Sequence, residues 1–203
     1  MKKIFKFIKQ QFLTVFGDIK VCKWPMFIIY SPTSFKVKGI QTRKAEQSLE
    51  IGDIIQRGYD DYIDGKFIPG RYSHSAIYIG NNTVIHAIAE GVQKDDIIDF
   101  FRCDRFRILR CKERGNENWV GKGAALKSLT FLNRPYDFDF KSGNKAMYCH
   151  EVVAEAYLPE VELHKLIPRL WWIKGSKTYL AESFDGKFEV VMEYNPKEKI
   201  NAC

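Results

Sequence analysis

Ser73-His74-Ser75-Ala76-Ile77-Tyr78-Ile79-Gly80-Asn81-Asn82-Thr83-Val84-Ile85-His86-Ala87 holds two of the chain's four histidines in one short stretch. His74, Ala76 and Tyr78 alternate with Ser75, Ile77 and Ile79, and Val84 and His86 alternate with Ile85 and Ala87, the period-two pattern of strands. Gly80-Asn81-Asn82 supplies the turn, because Gly and Asn tolerate positive φ. The stretch predicts a β-hairpin with one imidazole on each arm. Register decides whether the two meet: a turn centred on Gly80 sets His74 opposite His86. A two-residue Asn81-Asn82 loop instead pairs Gly80 with Thr83 and sends the imidazoles to opposite faces unless a bulge intervenes.

An imidazole with a reference pKa of about 6.5 can take and return a proton, the general-base role that a nucleophile requires. Cys149 is the nucleophile this predicts elsewhere in the chain. Cys149, Val152, Val153 and Ala156 follow the i, i+3, i+4, i+7 rule, so the thiol falls on the inward face of a helix and in its first turn. Unpaired N–H groups and the positive end of the helix dipole there favour thiolate and can hold a developing oxyanion. Taken alone, a cysteine at a helix start is ordinarily a small apolar residue, and either histidine is ordinarily a satisfied sheet residue.

Five motifs change that weighting. Gly52-Asp53-Ile54-Ile55, Ser73-His74 through Gly80, Val84-Ile85-His86-Ala87, Pro135-Tyr136-Asp137 and Tyr148-Cys149-His150-Glu151-Val152-Val153 resemble the NlpC-type papain-like cysteine peptidase superfamily. In its ordinary members the cysteine helix precedes the histidine hairpin. Here it follows, which resembles the circularly permuted YiiX/YebB-like branch that includes relatives of lecithin:retinol acyltransferase. The resemblance covers roughly residues 48 to 160. It implies an α+β fold, circularly permuted papain-like, with an antiparallel sheet packed on the Cys-bearing helix. It also implies Cys149 as nucleophile, His74 as base and His86 as the residue that orients the base, with Glu90 and Asp53 as reserves for that last role. His150 stands where the resemblance implies a small residue such as Ser. Tyr148, Glu90 and Tyr136 are the expected substrate contacts.

The 203 residues fit one domain with a normal core, with residues 1–47 as an amphipathic helix and lead-in and residues 48–203 as the hydrolase domain. Five cysteines, odd in number and irregularly spaced, argue against a disulfide framework and for a reducing, cytoplasmic setting. The formal charge of +7 is spread along the chain with no nucleic-acid motif, so it reads as solvated surface and no nucleic-acid partner is expected. Residues 1–20 place Ile4, Phe5, Ile8, Phe12, Val15 and Phe16 on one stripe against Lys2, Lys6 and Lys9. That stripe either docks on the domain's own core or makes peripheral contact with an anionic membrane. It lacks the apolar run and cleavage site of a signal peptide.

Along the chain, residues 21–47 read as irregular or extended. Leu49 to Arg57 reads as a strand opened by a Gly52-Asp53 turn, Phe106 to Cys111 as a further strand and Trp119 to Leu132 as a helix. Tyr136 to Phe140 reads as a short strand and Phe188 to Tyr194 as a closing strand. His74, His86, Cys149 and His150 are also conceivable zinc ligands, but adjacent Cys149 and His150 point to different sides of a helix, so neither a metal nor another cofactor is expected. The expected activity is thiol-dependent amidase or peptidase chemistry on an amide or ester carbonyl of a peptide, amide or lipid acyl substrate. The alternatives are a lipid acyltransferase or esterase at a membrane surface and a non-catalytic binding protein on the same fold.

Overall fold

β-Branched and aromatic residues at period two dominate the strands, which assemble into one antiparallel sheet of six: β3 (Ile54–Gly58), β4 (His74–Gly80), β5 (Thr83–Ile88), β6 (Gly91–Asp96), β7 (Arg105–Cys111) and β8 (Phe188–Tyr194). Their order across the sheet is β6-β5-β4-β3-β7-β8. The computed structural model describes residues 35–60, 70–111, 119–140, 145–168 and 177–196. It also describes the backbone of two short paired strands, β1 (Ile19–Val21) and β2 (Ile28–Tyr30). The amphipathic stripe of residues 1–20 falls almost wholly outside the described residues, as does the segment around Trp171 and Trp172.

Alternation along the strands gives the sheet two apolar faces. Ile54, Ile77, Ile85, Ala87 and Leu109 pack beneath α3 (Trp119–Ser128) and α4 (Cys149–Tyr157), whose inward residues include Ala124, Ala125, Val152, Val153 and Ala156. Ile55, Ala76, Tyr78, Val84 and Ile108 form the other face with Val37, Ala45, Ile97, Phe100 and Phe101. Those last residues belong to the segment around α1 (Gly39–Ser48) and α2 (Ile97–Phe100). The sheet therefore packs on the cysteine-bearing helix, as the motifs imply, and carries a second layer behind it.

Two elements differ from the sequence reading, and a third is added to it. Within 21–47, Gly39–Ser48 is helical, capped where Gln41 Oε1 accepts from the Lys38 N–H at 3.2 Å. Tyr136 to Phe140 is not a strand: Tyr136 forms one isolated parallel bridge with Met147. Ile97–Phe100 is a single helical turn, started by Asp96, whose carboxylate accepts from the Ile98 N–H at 2.7 Å.

The turn before β3 is held from two sides. Gly52 sits at φ +98°, and a Cβ there would come within 2.2 Å of the Gly121 backbone in α3, so only glycine lets that helix approach. Beside it, fully buried Asp53 takes a two-pronged contact from Arg110, Nε to Oδ1 at 2.8 Å and Nη2 to Oδ2 at 2.7 Å. Burial pushes the Asp53 carboxyl up, and the Arg110 fork opposes that shift.

Candidate active site

The hairpin closes through a two-residue turn, with Asn81 and Asn82 both at positive φ and Gly80 paired with Thr83. Below the turn the register shifts between Tyr78 and Gly80, leaving Ile79 as the extra residue, so that Tyr78 faces Val84 and Ile77 faces Ile85. That bulge restores the parity which the tight loop alone would break. His74 and His86 share a face as diagonal neighbours, not as the opposed pair a Gly80-centred turn would give, and His74 Nε2 lies 2.9 Å from His86 Nδ1.

Backbone pairing between β4 and β5 stops at Ile77 and Ile85, while β5 continues to Ile88 paired with β6 alone. The start of α4 meets β4 beyond that stop. The Cys149 thiol donates to the Ser73 carbonyl at 3.8 Å, and the N–H groups of Ser75, His150 and Cys149 itself interact with the sulfur. Backbone groups on both sides of His74 thus bracket the nucleophile expected from the sequence. The thiol makes no hydrogen bond to either imidazole among the described residues, and it is 3% exposed.

Burial dominates the electrostatics. It pushes the Cys149 thiol up to about 11, against the N–H groups and the Arg57 charge that favour thiolate, so the helix start does not by itself preform the thiolate expected there. His74 is held well below its ordinary value by burial, then by the Arg57, His86 and His150 charges. His86 is lowered to about 3 by burial and by Arg57. Arg57 lies across the strand pair from His74, stacks 4.3 Å over the Phe100 ring and donates to the Phe100 carbonyl at 2.9 Å. Phe100 in turn contacts both imidazoles, at centroid separations of 5.7 and 5.5 Å. Thiol and imidazole are therefore both favoured in their neutral forms.

The remaining expected residues fall in varied places. His150, expected on a different side of the helix from Cys149, also meets β4: it is buried, and its Nδ1 shares a 2.6 Å hydrogen bond with Ser75 Oγ. The first turn of α4 is enclosed on nearly every side, so a residue one step from Cys149 still faces protein. Tyr148 is fully buried, and its hydroxyl accepts from Thr178 Oγ1 at 2.6 Å and from the Tyr179 N–H at 2.7 Å. Tyr136 is half-buried, and burial first, then the neighbourhood of Cys149 and Asp137, holds its phenol well above the ordinary value. Glu90 is exposed at the β5–β6 turn, and Asp53 is engaged by Arg110. The carboxylate beside the histidines is Asp95 on β6, its Oδ2 3.6 Å from His86 Nε2. Nothing local in the sequence singles it out, because the contact depends on the β5–β6 register.

A cysteine at a helix start against a strand that carries a histidine pair, reached in the order hairpin then helix, defines a permuted papain-like protein. The chain belongs to the family of permuted papain-like amidase enzymes, YaeF/YiiX, C92 family, whose profile matches residues 48–170. It is accordingly a papain-like hydrolase of the amidase type. A solved structure of the metalloprotein yiiX from Escherichia coli O157:H7 shares the fold with a TM-score of 0.61 at 20% identity, over 73% of this chain and 99% of that one. A search of curated protein sequences finds no match. The donor set here does not fit a metal: among the described residues no group of three or more His, Cys, Asp or Glu side chains is arranged to hold a metal ion, and the His74 and His86 nitrogens that face each other are spent on their mutual contact. No helix among the described residues is long and apolar enough to cross a membrane.

Proposed function

We propose that the protein hydrolyses an amide bond through Cys149, with His74 as general base and His86 as its positioning partner. One observation carries this reading: the Cys149 sulfur is bracketed by the Ser73 carbonyl and the Ser75 N–H, on either side of the residue that bears a free imidazole nitrogen. His74 spends Nε2 on His86, so Nδ1 is the atom left to exchange a proton. Because thiol and imidazole rest neutral, proton transfer from Sγ to His74 accompanies attack on the carbonyl carbon. The tetrahedral oxyanion is held by N–H groups at the start of α4, and the imidazolium returns its proton to the leaving amine. Water, deprotonated by the same imidazole, then releases the acyl group and regenerates the thiol.

A thiol-directed acyl probe followed by peptide mapping tests the assignment. Cys149 is expected to carry the acyl group, and replacing His74 by Ala is expected to suppress labelling. Acylation of Cys103 or Cys111 with Cys149 untouched would overturn it. Cys103 is fully buried and its thiol is pushed up to about 12, which makes it a stringent internal control.

A further inference from the structure

We propose that Asp95 is a positioning residue of the histidine pair: its carboxylate accepts a hydrogen bond from the His86 Nε2–H and so fixes which nitrogen of His74 is bare. The inference rests on the reading of His74 as the base. His86 pairs with Gln93 and Val84 with Asp95, which places Asp95 diagonally across from His86 on one face of the β5–β6 ribbon. His86 is 1% exposed and its Nε2 has no hydrogen-bond partner, whereas Asp95 Oδ2 stands 3.6 Å away on a side chain 31% exposed. That distance is a few tenths of an ångström beyond a hydrogen bond. A small rotation of the half-open Asp95 side chain closes it.

Two proton orders are compatible with the 2.9 Å contact between the imidazoles. In the first, His74 donates from Nε2 to a bare His86 Nδ1, His86 carries its proton on Nε2, and His74 Nδ1 presents a lone pair. In the second, His86 donates from Nδ1 to His74, His86 Nε2 is bare, and the proton on His74 Nδ1 blocks that atom as a base. A carboxylate accepts hydrogen bonds only, so Asp95 opposite a bare Nε2 sets two lone pairs against each other. Opposite an Nε2–H it gains a charge-assisted contact. Asp95 therefore selects the first order, the one in which His74 can act. Burial is the main cause that raises the Asp95 carboxyl, with the Asp99 and Asp96 charges adding to it; the Asp96 N–H, which donates to Oδ1 at 2.9 Å, and the Arg57 charge favour the ionised carboxylate. A carboxylate that holds an imidazole tautomer in this way is a known positioning device.

The full chain labelled with ¹⁵N-histidine reads the tautomers directly, since bare and protonated ring nitrogens resonate far apart. In the wild type, His86 and His74 are both expected to be protonated on Nε2 and bare on Nδ1. Asp95→Asn, whose amide can donate to a bare Nε2, should shift His86 toward its Nδ1-protonated form and slow acylation of Cys149 by the acyl probe about 10- to 100-fold. Asp95→Glu should restore both. A wild-type His86 protonated on Nδ1 overturns the proposal without any variant, as does an Asp95→Asn spectrum with unchanged tautomers. Labelling that depends on His74 while the tautomers ignore Asp95 sinks this inference alone. Tautomers that follow Asp95 with Cys149 never acylated uphold the proton order and sink the hydrolase reading instead.

Discussion

At the residue scale, the proposed roles impose an order on substitutions. Cys149→Ala should abolish turnover of an amide substrate, and His74→Ala should be nearly as severe because the proposed base is lost with it. His86→Asn should be milder, since its amide oxygen still accepts from His74 Nε2. Initial rates of the three purified variants check the ranking. The pH profile is a second test. His74 is held well below the ordinary imidazole value, first by burial and then by Arg57, so its neutral, basic form persists below pH 6.5. The thiol, pushed up to about 11, stays neutral through the same range. kcat/KM should therefore keep its acid limb below pH 6.5, and a limb at or above 6.5 would rule out this resting state. Nucleophile and histidines are prominent in the sequence because motif and spacing mark them. His150 shows the limit of such reading. Its place one step from Cys149 sets it on a different side of the helix, yet it too clasps β4 at Ser75 because the whole first turn of α4 is enclosed. His150→Ser should lower the free energy of unfolding by about 2–4 kcal/mol, the sum of a lost buried hydrogen bond and a cavity. A urea titration measures it.

At the scale of elements, strands rich in β-branched and aromatic residues are legible and the polar helix is not. Phe188–Tyr194 reads as a strand from its aromatic and β-branched residues, and the histidine hairpin from its period two. Gly39–Ser48 buries only Ala45 and exposes Ile40, so it offers no apolar stripe from which a helix could be read. The bulge at Ile79 was legible as a condition, since a tight Asn81-Asn82 loop and a shared histidine face are incompatible without one. Two glycines in or against α3 make a paired test of how that helix docks. Gly52→Ala would place a methyl group 2.2 Å from the Gly121 backbone at a φ of +98°, so it should destabilise by at least about 2 kcal/mol. Gly123→Ala, inside α3 with nothing within 4 Å of the added Cβ, should stabilise by about 0.4–1 kcal/mol. Thermal melts of the two proteins should move in opposite directions. Equal shifts would mean that α3 does not depend on the close approach at Gly52.

At the scale of the whole molecule, the order of motifs disclosed the permuted architecture, but the order of strands stayed hidden. β3 lies between β4 and β7, and β7 lies beside β8, through pairings of high sequence separation that no local turn encodes. Enclosing the site between two layers has a cost that pH exposes. His86 and His150, 1% and 3% exposed, are both lowered to about 3, by burial first and then by Arg57 and Arg107 respectively. In the unfolded chain each returns to an ordinary value of about 6.5. Between those values the unfolded state binds more protons than the folded state, so stability is complete above about pH 6.5 and falls as pH drops toward 3. Each histidine contributes a slope of up to about 1.4 kcal/mol per pH unit, and His74 shifts in the same direction. Asp53, raised by burial from 3.8, works the other way above that value. Unfolding free energies from urea titrations should thus be level from pH 8 to 7 and decline steeply from 6 to 5. His86→Asn should flatten that decline by about one histidine's share, because Asn does not titrate. A wild type equally stable at pH 7 and pH 5 would show that these imidazoles are not held neutral in the interior, and would remove the electrostatic basis for a neutral thiol and imidazole at rest.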